Sequence, residues 1–329
     1  PVTMMMSQLS QPSTSISARD IGNTGAAPKR FAQNGLRPNK SGASAVLTAD
    51  MNLPHSLGAS YTARHYFLQI DAMIEALWQT IRSAAAQEAA QEPVLASYLH
   101  NTVLRHHSLC SALGFLIAGK LDCQALPALT LMEVFAEAFC ADTSITAVVA
   151  QDIEAITSRD PVCQSPLQAL LFYKGFHALT AWRVAHWLWQ QERKPLAYFL
   201  QNRISTTFAV DIHPAARIGS GVLLDHATGI VIGETAAVAD NVSILQDVTL
   251  GGTGKETGDR HPKIGAGVLI GPGSKILGNI KVGACAQIAA GSVILKDVPD
   301  CALMAGVPAK QIGQTDCAQP ALEMRQTLS

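Results

Sequence analysis

The chain has 329 residues, enough for about two domains of ordinary size, and with 48% hydrophobic and 15% charged side chains it is not wholly disordered. Lys and Arg number 24 against 25 Asp and Glu, so a net charge of -1 offers no whole-chain attraction to nucleic acid or to an anionic membrane surface. The cysteines (Cys110, Cys123, Cys140, Cys163, Cys285, Cys301, Cys317) are odd in number and far apart, which speaks against a disulfide framework or a Cys-rich zinc site and suits buried thiols in a reducing compartment.

Residues 1–60 are rich in Ser, Gln, Asn, Ala and Gly, carry Arg19, Lys29, Arg30, Arg37 and Lys40 against Asp20 and Asp50, and show no periodicity. They read as a disordered leader, with an organelle transit peptide as the alternative because such leaders are Ser-rich and acid-poor. From 61 to 205, apolar residues at three-to-four spacing predict an all-α domain of amphipathic helices. Breaks are expected at Glu92-Pro93, Leu126-Pro127, Asp160-Pro161 and Ser165-Pro166, since proline disfavours helix at the residue before it. The last helix is expected over 166–190, with Phe172, Phe176, Trp182, Trp187 and Trp189 serving as core or subunit contact. Its apolar stretch, Leu167 to Trp189, contains Lys174, His177, Arg183 and His186. Each charge at a bilayer centre costs about 2.5 kcal/mol or more, so a buried helix is expected and not a membrane span. No secretory signal pattern is present, and a soluble cytoplasmic protein is the expectation unless the leader directs it to an organelle.

Beyond 206 the period changes to six. Aliphatic residues fall at Ile212, Ile218, Leu224 and Ile230; after a shift of two at Ile232, Val238, Ile244 and Leu250; and then at Ile264, Ile270, Ile276, Val282, Ile288 and Ile294. Six fits neither helix nor lone strand. It fits a short strand and a tight corner repeated, the hexapeptide parallel β-helix, in which three hexads make one triangular coil. Each coil buries its aliphatic side chains only when its neighbours cover it. The pattern predicts an α+β chain: helical domain 61–205, β-helix 206–312, flexible tail 313–329. A polar, glycine-rich insertion, GGTGKETGDRHPK at 251–263, interrupts the period and is expected to leave the prism as a binding loop.

The repeat carries His213, His226 and His261. Asp211 and His226 are 15 residues apart, close to one 18-residue coil, so they are expected near one edge within hydrogen-bonding reach. A carboxylate on Nδ1–H fixes the imidazole and raises its basicity, and the free nitrogen can then take the proton of a hydroxyl attacking a thioester. Gly251-Gly252 offers unobstructed backbone N–H groups for an oxyanion, or merely turns a corner.

From about 65 to 312 the sequence resembles the serine O-acetyltransferases of cysteine biosynthesis. The resemblance is carried by SRDPV at 158–162, VDIHPAARIG at 210–219, LDHATGIVIGETA at 224–236, VSILQDVTLGGTGK at 242–255, DRHPKIGAGVLIG at 259–271, AGSVILKDVP at 290–299 and AGVPAK at 305–310. It implies a left-handed β-helix and transfer of acetyl from acetyl-CoA, a cosubstrate, to the L-serine hydroxyl, with no permanent cofactor and no metal. By motif, His226 resembles the family's base, Asp211 its partner and His261 a third catalytic group. Asp160, Asp225, Arg260 and, more weakly, Glu234 correspond to the serine site, where carboxylates suit an ammonium and Arg260 suits a carboxylate. Gly252, Thr253, Ala290, Gly291 and Lys310 correspond to the acetyl-CoA groove between subunits. The resemblance further implies a homo-oligomer, a trimer or a hexamer made of two trimers joined by the helical domain, and feedback by cysteine in the serine site. Relatives that dock into O-acetylserine sulfhydrylase end in isoleucine, whereas this chain ends Met324-Arg325-Gln326-Thr327-Leu328-Ser329, which sets that partner in doubt.

Other readings compete with this one. A related hexapeptide enzyme would acetylate homoserine, a sugar or a xenobiotic. A zinc hydratase resembling the gamma-class carbonic anhydrases would gather three histidines, and these three lack close ligand spacing. A scaffold without catalysis would leave the polar loop without purpose.

Overall fold

A computed structural model describes residues 58–255, 257–315 and 319–326, with side chains from 69 on. The expected leader lies outside the described residues except at its end, where Gly58 already opens the first helix.

Helices follow one another through α1 (Gly58–Gln91), α2 (Pro93–Leu99), α3 (Leu109–Leu121), α4 (Ala128–Ala141), α5 (Ser144–Arg159), α6 (Pro166–Phe172), α7 (Lys174–Gln190) and α8 (Lys194–Phe208). The expected proline breaks stand where proline belongs: Pro93 and Pro166 open α2 and α6, where a missing N–H costs nothing. One expectation is corrected. The helix predicted over 166–190 is two helices, parted at Tyr173, whose backbone is extended (φ -84°, ψ 101°). No proline marks this break. Gly175 lies so close to the start of the β-helix that a Cβ there would overlap the Leu224 carbonyl oxygen, and Tyr173 donates its phenol hydrogen to Asp160, so tertiary contact bends the chain. The α7 helix is buried nearly all round, as its composition requires, and no described helix is long and apolar enough to cross a membrane.

A buried ion pair joins the two regions. Arg183 of α7 donates Nε and Nη2 to Asp152 Oδ2 of α5 at 3.0 and 2.7 Å, and Nη2 also reaches the Gly219 carbonyl at 2.8 Å. Asp152 Oδ1 accepts from the Val222 N–H at 2.9 Å, so both partners also bond the first coil.

The coils are built from β1 (Val210–Ile212), β2 (Arg217–Ile218) and β3 (Leu223–Leu224); β4 (Ile230–Ile232), β5 (Ala237–Val238) and β6 (Ser243–Ile244); β7 (Thr249–Gly251), β8 (Lys263–Ile264) and β9 (Leu269–Ile270); β10 (Lys275–Leu277), β11 (Lys281–Val282) and β12 (Gln287–Ile288). Then come β13 (Val293–Ile294) and a hairpin of β14 (Ala302–Gly306) and β15 (Ala309–Gln314). Parallel pairing sorts them into three walls: wall A in the order β1-β4-β7-β10-β13, wall B as β2, β5, β8 and β11, and wall C as β3, β6, β9, β12 and β14, with antiparallel β15 at its edge. All fourteen aliphatic positions of the period lie on these strands and, apart from half-buried Ile218, are buried. Each buried Ile or Leu contributes about 1.5–3 kcal/mol, and stacking lets every coil supply the cover its neighbour lacks.

Coil length varies. Ile212 pairs with Ile232, twenty positions on, whereas Ile232 pairs with Leu250 at eighteen, because the corner between β3 and β4 is two residues longer than its equivalent between β6 and β7. The tail also departs from expectation. Helix α9 (Pro320–Glu323) packs back on wall C, where Ser243 Oγ donates to the Ala321 carbonyl at 2.9 Å and Gln287 Nε2 to the Arg325 carbonyl at 2.9 Å. Buried Ser243 also accepts from Arg159 Nη1 at 3.1 Å, which gives the tail a polar seat. The described cysteines are thiols, but only Cys163 is buried and Cys140 is exposed, so the expectation of buried thiols holds for one of them.

Candidate active site

The expected site residues fall into two groups on different corners of the prism. The first occupies the corner leading from wall C to wall A. Asp225, His226 and Ala227 turn there, with His226 and Ala227 both left-handed (φ 54° and 61°) and closed by i to i+2 hydrogen bonds from the Ala227 and Thr228 N–H groups. Such consecutive non-glycine residues carry strain that the surroundings must hold, and Ala227 is fully buried beneath Gly175 of α7. His226 is thereby lifted out, its side chain 73% exposed. Among the described residues its imidazole makes no hydrogen bond, and Asp225 Oδ1 at 4.0 Å is its ion-pair contact.

Asp160, the residue that ends α5, faces the same cleft of about 420 Å³, lined also by Val162, Phe172, Tyr173 and Lys174. Its Oδ1 accepts from the Val162 N–H at 2.9 Å and its Oδ2 from the Tyr173 phenol at 2.6 Å. Burial raises the Asp225 carboxyl above its usual value, opposed by His226 and reinforced by Asp160. Two carboxylates sharing a cleft repel, and a bound ammonium would relieve both. Lys174 donates to Thr228 Oγ1, which ties the corner to α7.

The second group occupies the corner leading from wall A to wall B. Arg260 Nη2 donates to Glu234 Oε2 at 2.7 Å and Nη1 to the Gly258 carbonyl at 3.1 Å, so the guanidinium is held with donors to spare. This bond holds Glu234 below the usual carboxylate range. His261 is 7% exposed, its ring seated where Gly233 lacks a Cβ. Its Nδ1 accepts from the Thr235 N–H at 3.2 Å and pairs with Thr235 Oγ1 at 2.8 Å. Burial, followed by the charge of Arg260, pushes His261 below its ordinary value and so favours the neutral ring; Glu234 acts in the opposite sense. His213 lies nearby with Trp189 and Tyr198 edge-on to its ring, lowered by burial and raised in turn by Glu234 and Asp211.

The expected Asp211–His226 hydrogen bond is not formed within the chain. Asp211 stands on wall A, where its Oδ1 accepts from Gln201 Nε2 at 2.8 Å. The reason is coil length: the neighbour of Asp211 one coil on is Val231, five residues past His226, so the spacing of 15 ends at the preceding corner. Among the described residues no group of three His, Cys, Asp or Glu could hold a metal, and His226 is on a different corner from His213 and His261. The expected groove residues divide in the same way: Gly252 and Thr253 at the corner from A to B, Ala290 and Gly291 at the corner from C to A, and exposed Lys310 on β15. Sequence reasoning missed Tyr173 and Thr235. The place of Thr235 within GETA beside Glu234 was the available signal; Tyr173 had none, since it reads as one more aromatic in a helix.

Comparison with known proteins gives a consistent picture. Residues 77–181 match the family described as serine acetyltransferase, N-terminal, and residues 261–296 match the bacterial transferase hexapeptide (six repeats). The chain is 54% identical over 253 residues to a serine acetyltransferase of Escherichia coli (strain K12), an alignment covering 77% of this chain and 93% of that relative. A serine acetyltransferase of Brucella abortus strain S19 solved in complex with coenzyme A superposes with a TM-score of 0.73 at 52% identity, covering 74% of this chain and 97% of that one. Soybean serine acetyltransferase complexed with serine gives 0.72 at 52% identity, covering 73% and 99%.

Proposed function

The chain belongs to the serine acetyltransferase family, and from that premise we propose that it transfers acetyl from acetyl-CoA to the hydroxyl of L-serine at a site shared by two subunits. His226 of one subunit takes the hydroxyl proton as the oxygen attacks the thioester carbonyl, the C–S bond breaks, and the imidazolium returns the proton to the departing sulfur. Asp160 and Asp225 receive the substrate ammonium beside it. The neighbouring subunit brings Arg260 to the substrate carboxylate, Glu234 to hold Arg260, His261 Nε2–H to the developing oxyanion, and Asp211 to the imidazole. Acetyl-CoA lies in the groove between, along Gly252, Thr253, Ala290, Gly291 and Lys310.

The observation that supports sharing is the division itself. One protomer carries an exposed imidazole without a hydrogen bond on one corner and the complementary donors on another. A closed ring of heterologous contacts sets one corner of each subunit against the other corner of the next, which makes a trimer the smallest complete enzyme. The described thiols suit a reducing compartment. The experiment is thiol release from acetyl-CoA with L-serine or L-homoserine. We expect release that requires serine and strongly prefers it; release without an acceptor, preference for homoserine, or an acetylated enzyme trapped before serine is added contradicts the reading.

A further inference from the structure

Resting on that reading, we propose that Thr235 is a positioning residue for the reaction: its hydroxyl and its backbone N–H together hold the His261 imidazole in the tautomer that carries its proton on Nε2.

Hydrogen-bond accounting at one oxygen carries the argument. A hydroxyl has one hydrogen to give and two lone pairs to fill. Thr235 Oγ1 accepts from the Arg260 N–H at 3.0 Å and from the His261 N–H at 3.1 Å, which fills both lone pairs. Its hydrogen goes to His261 Nδ1 at 2.8 Å, although the Asp259 carboxylate also draws on this hydroxyl. That nitrogen also receives the Thr235 backbone N–H at 3.2 Å. Two donors converge on Nδ1, so Nδ1 carries no proton and the neutral ring bears it on Nε2. The opposite tautomer would place N–H against N–H. Lys263 locks the arrangement, since its Nζ donates to the Thr235 carbonyl at 3.0 Å and the His261 carbonyl at 2.6 Å.

The charged and titratable groups facing His261 are Arg260, Lys263, Glu234 and His213. Arg260 and Lys263 oppose a charge on the ring and Glu234 favours it, while Thr235 adds a preference for the neutral ring that does not depend on charge. A neutral Nε2 donor suits an oxyanion that develops and then collapses, because it can give a hydrogen bond without giving up its proton.

Removing the Thr235 hydroxyl while keeping its volume, as in Thr235→Val, withdraws one of the two donors from Nδ1. We expect kcat for serine-dependent CoA release to fall about 100-fold, the scale for misaligning a reacting group, with the KM for acetyl-CoA unchanged and the acid limb of the kcat profile moved to higher pH. Thr235→Ser keeps the hydroxyl and restores both. A Thr235→Val enzyme with wild-type kcat and an unmoved acid limb overturns the proposal, as does failure of Thr235→Ser to restore them. The tautomer is read independently from the ¹⁵N resonances of histidine-labelled full-length protein: an unprotonated Nδ1 in His261 at neutral pH supports the inference, and a protonated one overturns it. That spectrum decides the tautomer even if the wild-type chain releases no CoA with serine, in which case the proposed function fails separately.

Discussion

His226 and His261 are the same side chain on two corners of one prism, and their surroundings could hardly differ more. His226 rides on a left-handed corner, 73% exposed and without a hydrogen bond among the described residues, whereas His261 is 7% exposed with its Nδ1 tied to Thr235. An exposed imidazole with both nitrogens open is free to exchange a proton, while a buried one with a fixed tautomer is a rigid donor. The difference supports the proposed roles of base for His226 and oxyanion donor for His261.

The largest effect falls on the exposed corner. His226→Ala should lower kcat by about 10²–10⁴-fold, the usual worth of a positioned general base, with little change in melting temperature because the side chain is 73% exposed and makes no hydrogen bond among the described residues. Near-wild-type turnover at neutral pH would remove His226 from that role. Outside both corners, Arg183→Met should destabilise the fold by about 3–5 kcal/mol, since it strands the Asp152 carboxylate in the seam between helices and first coil. Urea unfolding measures this, and a smaller loss would mean that the seam is less important to the placement of the corners than its geometry implies.

A third effect comes from pH. Burial lowers His177 of α7 to about 4, its Nε2 donating to the Leu170 carbonyl at 2.7 Å. The folded chain therefore binds fewer protons than the unfolded one, whose histidine titrates near 6.5. Stability is complete above that value and falls as pH drops from about 6.5 toward about 4, by about 3 kcal/mol from this residue. The loss should flatten in His177→Gln, and an unaltered slope would contradict it. The smallest expected effect sharpens the contrast between corners. Tyr173→Phe removes one of two bonds to Asp160 and should raise the KM for serine by about tenfold, the worth of a hydrogen bond to a charged group, with little change in kcat.

The β-helix was legible because each hexad must place one aliphatic residue inward, and all fourteen did so. The proline breaks were legible for an equally local reason, a missing N–H. Tyr173 was not, because its break is imposed by the contact of Gly175 with Leu224 across 49 positions of sequence. The Asp211–His226 pairing failed within the chain because fifteen residues fall short of a full coil, twenty residues here, so His226 stops at the corner before wall A, and spacing along one chain does not show what a second copy supplies. Thr235 was hidden for another reason: a threonine in a motif looks the same whether it caps a turn or fixes a tautomer, and only its bonds to Arg260 and His261 separate the two.

The claim that one site needs corners from two subunits is tested most directly by mixing. Full-length His226→Ala and His261→Ala chains, each inactive alone, are co-assembled in equal amounts and assayed for serine-dependent CoA release. Sharing in a trimer restores about a quarter of wild-type activity, because each mixed trimer contains one interface with both intact residues. Mixed assemblies as inactive as their parents would show that each site lies within a single chain, and the account would be wrong.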